Sequence, residues 1–298
     1  MNLRLLVLLP LLWLAFSSSA QPATPSPARL EQLGLVTSRF VQPRRVSVWL
    51  PPGYEQGRRY PVLYMHDGQN LFERATSYGG TAWEVDSVLT QLIGAKQARA
   101  CIVVGVWNTD RRFREYAPAK PYAAMPEARR ARLAQERPGT PLSDDYLKFL
   151  VQELKPRIDS QYRTSPRRLD TFVAGSSMGG LISLYAAMEY PQVFGGAACL
   201  STHWPLSLKE STPDFTTAML VYLQPRLTGR LRPRLYFDYG TTTLDAWYEP
   251  HQQRVDSLLR AVRYPRQRWL TRKYAGAAHN EAAWQQRVAV PLRFLLGR

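Results

Sequence analysis

Cysteine and histidine are both scarce in this sequence, which has 2 cysteines and 4 histidines among its 298 residues. So few cysteines exclude a small fold held together by disulfide bonds, and no Cys/His spacing typical of a structural zinc site is present. Cys101 and Cys199 each lie within an apolar run, which favours two buried thiols over a disulfide. We expect neither a metal ion nor a cofactor.

Beyond residue 20 the sequence lacks an apolar run long enough to cross a bilayer, so no transmembrane segment is expected in the mature protein. At the N-terminus, Arg4 precedes an apolar stretch over residues 5–16, and small residues follow up to Ala20. Because this stretch is itself too short to span a membrane, the pattern is typical of a secretory signal peptide, and we expect a secreted or periplasmic protein. A retained N-terminal anchor is the alternative. The predicted organisation is a signal peptide over 1–20, a linker over 21–35 and one domain over 36–298.

Acidic residues are outnumbered, since 39 Lys and Arg face 23 Asp and Glu, and the net charge at pH 7 is +16. The arginines are scattered along the chain, and no nucleic-acid-binding motif is present, so nucleic acid is not an expected partner. We interpret the excess positive charge as a solvated basic surface, which would also suit an anionic substrate.

Apolar runs of strand length alternate with helical patterns along most of the chain, which predicts an α/β fold with a mostly parallel central sheet flanked by helices. Between residues 107 and 145 this alternation stops. A charged segment with a predicted helix over 126–136 follows the end of a predicted strand there, which indicates a lid-like insertion at the carboxyl edge of the sheet. The strands are predicted around 46–50, 60–65, 101–106, 170–174, 195–200, 234–240 and 268–274.

The segment Gly175–Gly179 reads Gly-Ser-Ser-Met-Gly and lies between a predicted strand and a predicted helix. This context is the one in which Gly-x-Ser-x-Gly forms a nucleophile elbow. Glycines on both sides let the chain reverse tightly, and the turn places the hydroxyl of Ser177 at a helix N-terminus, where negative charge is favoured. We predict that Ser177 is a nucleophile.

A serine nucleophile needs a histidine base, and in this architecture the chain order is serine, acid, histidine, each on a loop after a strand. His66 precedes the serine. His203 follows the next predicted strand directly and leaves no room for an acid before it, while His251 lies at the start of a predicted helix. His279 follows the last predicted strand, and we predict that it is the base.

The acid that would orient His279 is predicted after the strand that precedes the last one. Three carboxylates are candidates: Asp238, Asp245 and Glu249. Asp238 lies inside the predicted strand, whereas Asp245 lies in the loop at its carboxyl end. We favour Asp245 and leave the other two open.

An oxyanion hole in this architecture takes one backbone N–H from the residue after the nucleophile, here Met178. The second donor is expected from the turn after the predicted strand at 60–65, and we predict the N–H of Gln69 there. The alternative is that His66–Gly68 forms an ordinary Asp-Gly turn.

Three segments, Tyr60–Phe72, Gly175–Gly180 and Gly276–Glu281, resemble the putative-esterase family of α/β hydrolases. This family includes esterase D, feruloyl and acetyl-xylan esterases, siderophore esterases and mycolyltransferases. The resemblance extends from about Val46 to the C-terminus and implies the α/β-hydrolase fold, a nucleophile at Ser177, and a base at His279.

The resemblance also implies a loop acid after Gly240. Several family members carry that acid two or three residues after this glycine, where the present chain has Thr242 and Thr243. Asp245 therefore departs from the family pattern. The segment that begins at Arg112 resembles a family loop that lines the substrate pocket.

We therefore expect an exported serine carboxylesterase acting on a small-molecule or glycan ester of carbohydrate, phenolic or siderophore type. An acyltransferase using the same three residues, or a non-catalytic module that binds glycans, is the alternative. Aromatic and imidazole rings near the predicted site are candidates for walls that contact a sugar or aryl ring, although each could equally pack in the core. These candidate rings are Trp83, Trp107, His203 and Trp204.

Overall fold

The computed structural model describes residues 26–55 and 58–297, and eight strands in these residues form one sheet. The predicted signal peptide over 1–20 lies outside the described residues. The strands are β1 (Arg29–Val36), β2 (Arg44–Leu50), β3 (Val62–His66), β4 (Ile102–Val106), β5 (Thr171–Ser176), β6 (Gly196–Leu200), β7 (Arg234–Tyr239) and β8 (Trp269–Lys273).

The strand order is β1-β2-β4-β3-β5-β6-β7-β8. β1 and β2 pair antiparallel, and so do β2 and β4, while all pairs from β4 to β8 are parallel. Strands that alternate with helices produce such a sheet because each parallel connection must cross over a face. This confirms the predicted mostly parallel sheet of the α/β-hydrolase fold.

Both faces of the sheet are covered, as the continuous apolar strands predict. Successive residues such as Leu63 and Tyr64 belong to two different buried clusters, one on each face.

The helices are α1 (Val85–Gly94), α2 (Arg112–Tyr116), α3 (Ala119–Ala123), α4 (Glu127–Glu136), α5 (Ser143–Lys148), α6 (Lys155–Gln161), α7 (Met178–Glu189), α8 (Asp214–Leu227), α9 (Tyr248–Ala261), α10 (Glu281–Arg287) and α11 (Ala289–Leu296). A π turn (Phe149–Leu154) connects α5 directly to α6.

The predicted linker over 21–35 is wrong for its second half, because residues from Arg29 onward form β1 and pair with β2. Most of β1 is exposed or half-buried, so its sequence lacks the apolar alternation of a strand with a buried face. The register shifts between Gln32 and Leu35, where Gly34 has a φ of +67°. An edge strand with such an irregularity resembles a polar linker in sequence.

The predicted insertion around 107–145 contains α2, α3 and α4 and lies at the carboxyl ends of the parallel strands. Its base is fixed by Arg44 on β2, whose guanidinium donates to both carboxylate oxygens of Glu115 on α2, at 2.6 and 2.9 Å. Neither side chain is more than 1% exposed. The insertion is therefore attached to the sheet through a buried ion pair.

Within the described residues, no helix combines the length and the apolar composition that crossing a bilayer requires. Cys101 and Cys199 are both buried free thiols, as predicted. Burial raises the pKa of Cys101 to about 12, so this thiol stays protonated and unreactive at neutral pH.

Candidate active site

Ser177 lies at the turn between β5 and α7, with a φ of +58° and a ψ of −122°. A non-glycine residue rarely adopts such a positive φ, and the surrounding structure must hold it there. Its N–H donates to the carbonyl of Leu200 at 2.9 Å. A Cβ added at Gly175 would lie 2.9 Å from the backbone of Gly179, so the turn requires glycine at that position.

His279, on the loop between β8 and α10, connects the serine to a carboxylate. Its Nε2 lies 3.0 Å from Ser177 Oγ, and its Nδ1 lies 2.5 Å from Asp245 Oδ1. The chain of hydrogen bonds from serine to imidazole to carboxylate is therefore continuous. Such a chain can move the serine proton to the imidazole while the carboxylate fixes the tautomer.

Asp245 is fully buried, and its second oxygen also has partners. Oδ2 accepts hydrogen bonds from Ser201 Oγ and from the N–H of Gly240, both at 2.6 Å. Burial alone would raise the pKa of Asp245, but the hydrogen bonds from His279, Ser201 and Gly240 outweigh it and hold that pKa below its usual range. Asp245 is therefore charged at neutral pH.

The two alternative acids have other partners. Asp238 accepts from Arg287 and from the N–H of Ser201, each at 3.0 Å. Glu249 lies on α9 and accepts two hydrogen bonds from Lys273 at 2.8 Å. Of the three carboxylates predicted as candidates, Asp245 is the one that contacts the imidazole in the described structure.

An open cavity of about 510 Å³ lies over Ser177 and His279. Its walls come from the turn after β3, the predicted insertion and the loop that leads into α10, and they carry more polar than apolar side chains. The lining residues are Asp67, Gln69, Asn70, Tyr78, Asn108, Arg112, Arg137, Ser176, Ser177, His279, Glu281 and Trp284.

The family model described as Putative esterase matches residues 37–295. The chain belongs to this family. The match covers the whole sheet from β2 onward, together with the elbow, His279 and the cavity, and it confirms the resemblance in the sequence.

Curated relatives of the chain include esterases. It is 25% identical over 162 residues to the ferri-bacillibactin esterase BesA of Bacillus subtilis, a match that covers 51% of this chain and 52% of BesA. The match covers only part of the length of these curated relatives, and this also holds for the uncharacterized protein YbbA of the same organism, of which the chain covers 58%.

Solved structures share the fold. A ferulic acid esterase superimposes with a TM-score of 0.63 at 18% identity, covering 91% of this chain and 98% of that one. The enterobactin esterase FES from Shigella flexneri, solved with 2,3-dihydroxy-N-benzoyl-glycine, superimposes with a TM-score of 0.61 at 21% identity, covering 92% and 62%.

At the esterase-family site, an ion pair holds the turn after β3. Arg112 Nε and Nη2 donate to the two oxygens of Asp67, each at 2.7 Å, and Asn108 donates to the same carboxylate at 2.7 Å. Burial would raise the pKa of Asp67, but the charge and hydrogen bonds of Arg112 outweigh it and lower that pKa. Arg112 lines the cavity as predicted, yet its charge is neutralised within the wall.

Of the two residues predicted to supply backbone donors for an oxyanion hole, one directly follows the nucleophile and the other lines the cavity. Met178 is the first residue of α7, and the N–H groups in the first turn of a helix have no partner within that helix. Gln69 lies in the short helical turn Gly68–Asn70 and lines the cavity. Asp67, which directly precedes this helical turn, has a left-handed backbone conformation with a φ of +56°.

Two predicted wall residues lie elsewhere. Trp83 is 3% exposed and packs behind the cavity against Trp284, with ring centroids 5.6 Å apart. Trp107 donates to Ser47 Oγ at 3.0 Å and lines a separate surface depression beside Arg45. The prediction of these tryptophans as cavity walls is therefore wrong, because local sequence indicates a ring but not the direction in which it packs.

His203 and Trp204 are also wrongly predicted as cavity walls, since both are buried beneath the site. Trp204 is 1% exposed and donates to Gln252 at 3.1 Å. His203 is fully buried, and its Nδ1 lies 2.7 Å from the Tyr248 hydroxyl. Both residues follow Ser201, which has a left-handed φ of +41° directly after β6.

Eight of the residues that line the cavity were not predicted as site residues: Asp67, Asn70, Tyr78, Asn108, Arg137, Ser176, Glu281 and Trp284. Tyr78 is 78% exposed at the rim, and Arg137 follows α4 in the insertion. Trp284 packs edge-to-face on His279 at 5.0 Å. Glu281 and Trp284 could have been found from the sequence, because they begin the helix that directly follows the predicted base.

Proposed function

We propose that this protein is a serine carboxylesterase in which Ser177 is the nucleophile, His279 the base and Asp245 the orienting acid. The observation that carries the proposal is the continuous hydrogen-bond chain between these three side chains, with distances of 3.0 and 2.5 Å, under an open cavity. Membership of the Putative esterase family supports the same chemistry.

In the proposed reaction, Ser177 Oγ attacks the ester carbonyl carbon while His279 Nε2 takes the hydroxyl proton. His279 then gives this proton to the departing alcohol, which leaves an acyl group on the serine. Water attacks the acyl-enzyme with His279 again as base, the bond to Oγ breaks, and the proton returns to the serine. The amides of Met178 and Gln69 would stabilise the negative charge on the carbonyl oxygen in both steps.

The substrate that we propose is a small ester of phenolic, carbohydrate or siderophore type. The names of a ferulic acid esterase and of two siderophore esterases among the similar proteins support this range. The cavity supports it as well, since the exposed ring of Tyr78 can stack on an aryl or sugar ring and the polar wall can bind hydroxyl groups.

Export is part of the proposal and depends on residues 1–20 alone. A basic residue, a short apolar core and a small-residue end favour a cleaved signal peptide. Mass spectrometry of the protein from the extracytoplasmic fraction should give a mature N-terminus near residue 21. Recovery of the chain with residues 1–20 intact from the cytoplasm would contradict export.

Hydrolysis of p-nitrophenyl acetate and butyrate by the purified protein tests the esterase proposal. We expect turnover that Ser177→Ala abolishes, together with loss of covalent labelling by a fluorophosphonate. Ser257→Ala, an exposed serine on α9, is the matched control and should keep full activity. Equal activity of the wild type and Ser177→Ala would contradict the proposal. If the wild type is active, its rates on methyl ferulate, an acetylated xylo-oligosaccharide and a catecholate trilactone will show which of the three ester classes it prefers.

A further inference from the structure

Three segments at the amino edge of the sheet are rich in arginine. They span residues 166–170, 228–234 and 262–268 and lead into β5, β7 and β8. Together they hold eight arginines and one carboxylate, which are Arg167, Arg168, Arg230, Arg232, Arg234, Arg263, Arg266 and Arg268, against Asp170. Because the segments are far apart in the chain, the sequence alone does not show that their charges meet.

The strand order brings the three segments together. β5, β6, β7 and β8 are parallel neighbours, so their amino ends lie side by side, at the edge opposite the one that carries the active site. The turn before β6 contacts the segments on both sides of it. Arg168 donates to the carbonyl of Pro191, and the N–H of Arg234 donates to the carbonyl of Gly195 at 2.8 Å. The three segments therefore form one surface, which we term the basic edge.

The charge of the basic edge is not neutralised by its own residues. Asp170, its one carboxylate, pairs at 2.6 Å with a further arginine, Arg99, which precedes β4. Arg234 and Arg268 donate to backbone carbonyls at 3.2 and 2.9 Å, and a carbonyl satisfies hydrogen bonds without cancelling charge. Burial and then the charge of Arg268 lower the pKa of Arg168, so these two guanidinium groups repel each other. Both stay protonated, as arginine does in proteins.

Four arginines of the basic edge project into solvent. Their side chains have neither a hydrogen-bond partner nor an ion-pair partner among the residues that the structure describes. These four exposed arginines are Arg167, Arg230, Arg263 and Arg266. An exposed cluster of one charge attracts a partner of the opposite charge.

Two large apolar side chains lie among these arginines. Leu169 is 52% exposed, Leu231 is 45% exposed, and each directly follows an arginine in the chain. Beside Leu231, an open groove of about 310 Å³ lies between the carboxyl ends of α7 and α8, and most of its lining residues are apolar. A surface that combines unpaired guanidinium groups with exposed leucines suits a partner that offers both phosphate and an apolar phase.

We propose that the basic edge is a docking surface for a bilayer that contains anionic phospholipid. The four exposed arginines bind lipid phosphates, which match the fork of a guanidinium group. Leu169 and Leu231 enter the boundary between headgroups and acyl chains, an apolar phase that a soluble polyanion does not offer. The cavity lies at the opposite edge of the sheet, so the docked protein keeps it on the side away from the bilayer.

Sedimentation of the purified protein with lipid vesicles tests the proposal. Vesicles of phosphatidylcholine with about 30 mol% phosphatidylglycerol should bind the protein at least about tenfold more tightly than phosphatidylcholine alone. The neutral vesicles measure the binding that any apolar segment gives, residues 5–16 included. Raising NaCl from about 0.05 to about 0.3 M should weaken binding to the anionic vesicles about tenfold or more, because salt screens the attraction.

An arginine variant and a control of equal charge locate the surface. The variant replaces the four exposed arginines of the basic edge: Arg167→Gln, Arg230→Gln, Arg263→Gln and Arg266→Gln. The control removes four charges at exposed positions elsewhere: Arg45→Gln, Arg111→Gln, Lys209→Gln and Arg272→Gln. The variant should lower the partition coefficient on anionic vesicles at least about 100-fold, since each arginine near such a surface contributes about fivefold. The control should lower it less than about tenfold.

A leucine variant distinguishes a bilayer from a soluble polyanion. Leu169→Asn with Leu231→Asn should lower the partition coefficient on anionic vesicles about tenfold, because burial of the leucines is lost. Binding to dextran sulfate, which has no apolar phase, should stay within about twofold. Leu35→Asn with Leu208→Asn is the matched control, since these leucines are 68% and 47% exposed outside the basic edge. This control should leave both kinds of binding unchanged.

Equal binding to anionic and neutral vesicles would overturn the proposal, and so would an equal loss in the arginine variant and its control. Full vesicle binding by the leucine variant would assign the basic edge to a soluble polyanion and would also contradict docking on a bilayer. None of these results bears on the esterase proposal, because the vesicle experiments do not depend on ester hydrolysis.

Discussion

Asp245 and His279 lie 34 residues apart in the chain, yet Asp245 Oδ1 is 2.5 Å from His279 Nδ1. The loops that carry them are also joined by hydrogen bonds from backbone N–H groups. Thr242 N–H donates to the carbonyl of Ala277 at 3.2 Å, and the N–H of His279 donates to Thr243 Oγ1 at 2.8 Å. These contacts set the distance between acid and base, which explains how an acid placed later than in several family members still reaches the imidazole.

Asp245→Asn should lower kcat for p-nitrophenyl esters by about 10³- to 10⁴-fold, the range for a triad carboxylate replaced by its amide. The N–H of Gly240 and the hydroxyl of Ser201 require an acceptor at Oδ2, so the asparagine oxygen takes that place. Its NH₂ group then faces His279 Nδ1 and forces the proton onto Nε2, where the imidazole cannot accept a proton from serine. Steady-state kinetics measure the loss.

The matched control for Asp245→Asn is Glu249→Gln, since Glu249 was an open candidate for the same role. Glu249 accepts hydrogen bonds from Lys273 rather than from the imidazole. We expect Glu249→Gln to retain kcat within about twofold, in line with the small effect of a partly exposed ion pair. A larger loss in Glu249→Gln than in Asp245→Asn would reverse the assignment of the acid.

Arg112→Lys should lower kcat/KM by about tenfold, because lysine cannot reproduce the two parallel hydrogen bonds to Asp67. The turn that carries Gln69 would then be held less firmly, and donors misplaced from the developing charge lose stabilisation. Arg111→Lys, at an exposed neighbouring position, is the control. Kinetics with p-nitrophenyl butyrate decide the outcome, and identical kcat/KM values for both variants would exclude this role for Arg112.

Ser177 and His279 could be predicted from the sequence for different reasons. The elbow is a local structure, and the strand, the glycines and the helix that define it are adjacent in the chain. His279 followed from chain order among only 4 histidines. The parallel sheet followed from the alternation of strands and helices, because that alternation allows few other topologies.

The cavity wall could not be predicted in the same way. Tyr78, Arg137 and Glu281 come from three separate segments, and their meeting depends on tertiary packing that no local pattern records. His203 and Trp204 follow β6 at the edge of the sheet that carries the site, which is why the sequence suggested them as cavity walls. Their side chains nevertheless lie in the core, and local sequence does not record the direction in which a side chain packs.

Glu115→Gln should destabilise the protein by about 3–5 kcal/mol, because it leaves the guanidinium of Arg44 buried without a counter-charge. Both side chains are at most 1% exposed, so water cannot replace the lost partner. The double variant Arg44→Met with Glu115→Leu removes both charges and should recover most of this loss. Urea unfolding measures the three free energies of unfolding, and equal stability of Glu115→Gln and the wild type would show that the pair contributes little.

The free energy of unfolding should fall as the pH drops from about 6.5, because buried histidines resist protonation in the folded state. Burial lowers the pKa of His66 to about 3, while the unfolded chain takes up the proton near pH 6.5. The unfolded state therefore binds more protons between these values, and stability decreases as pH falls through this window. Each such histidine contributes up to about 1.4 kcal/mol per pH unit to the slope of the unfolding free energy against pH.

His66→Asn should reduce this slope near pH 5 by about that amount in urea unfolding. Tyr146→Phe, which removes the hydroxyl 2.8 Å from His66 Nδ1 but leaves the imidazole buried, should lower stability without changing the slope. An unchanged slope in His66→Asn would mean that His66 is protonated in the folded protein.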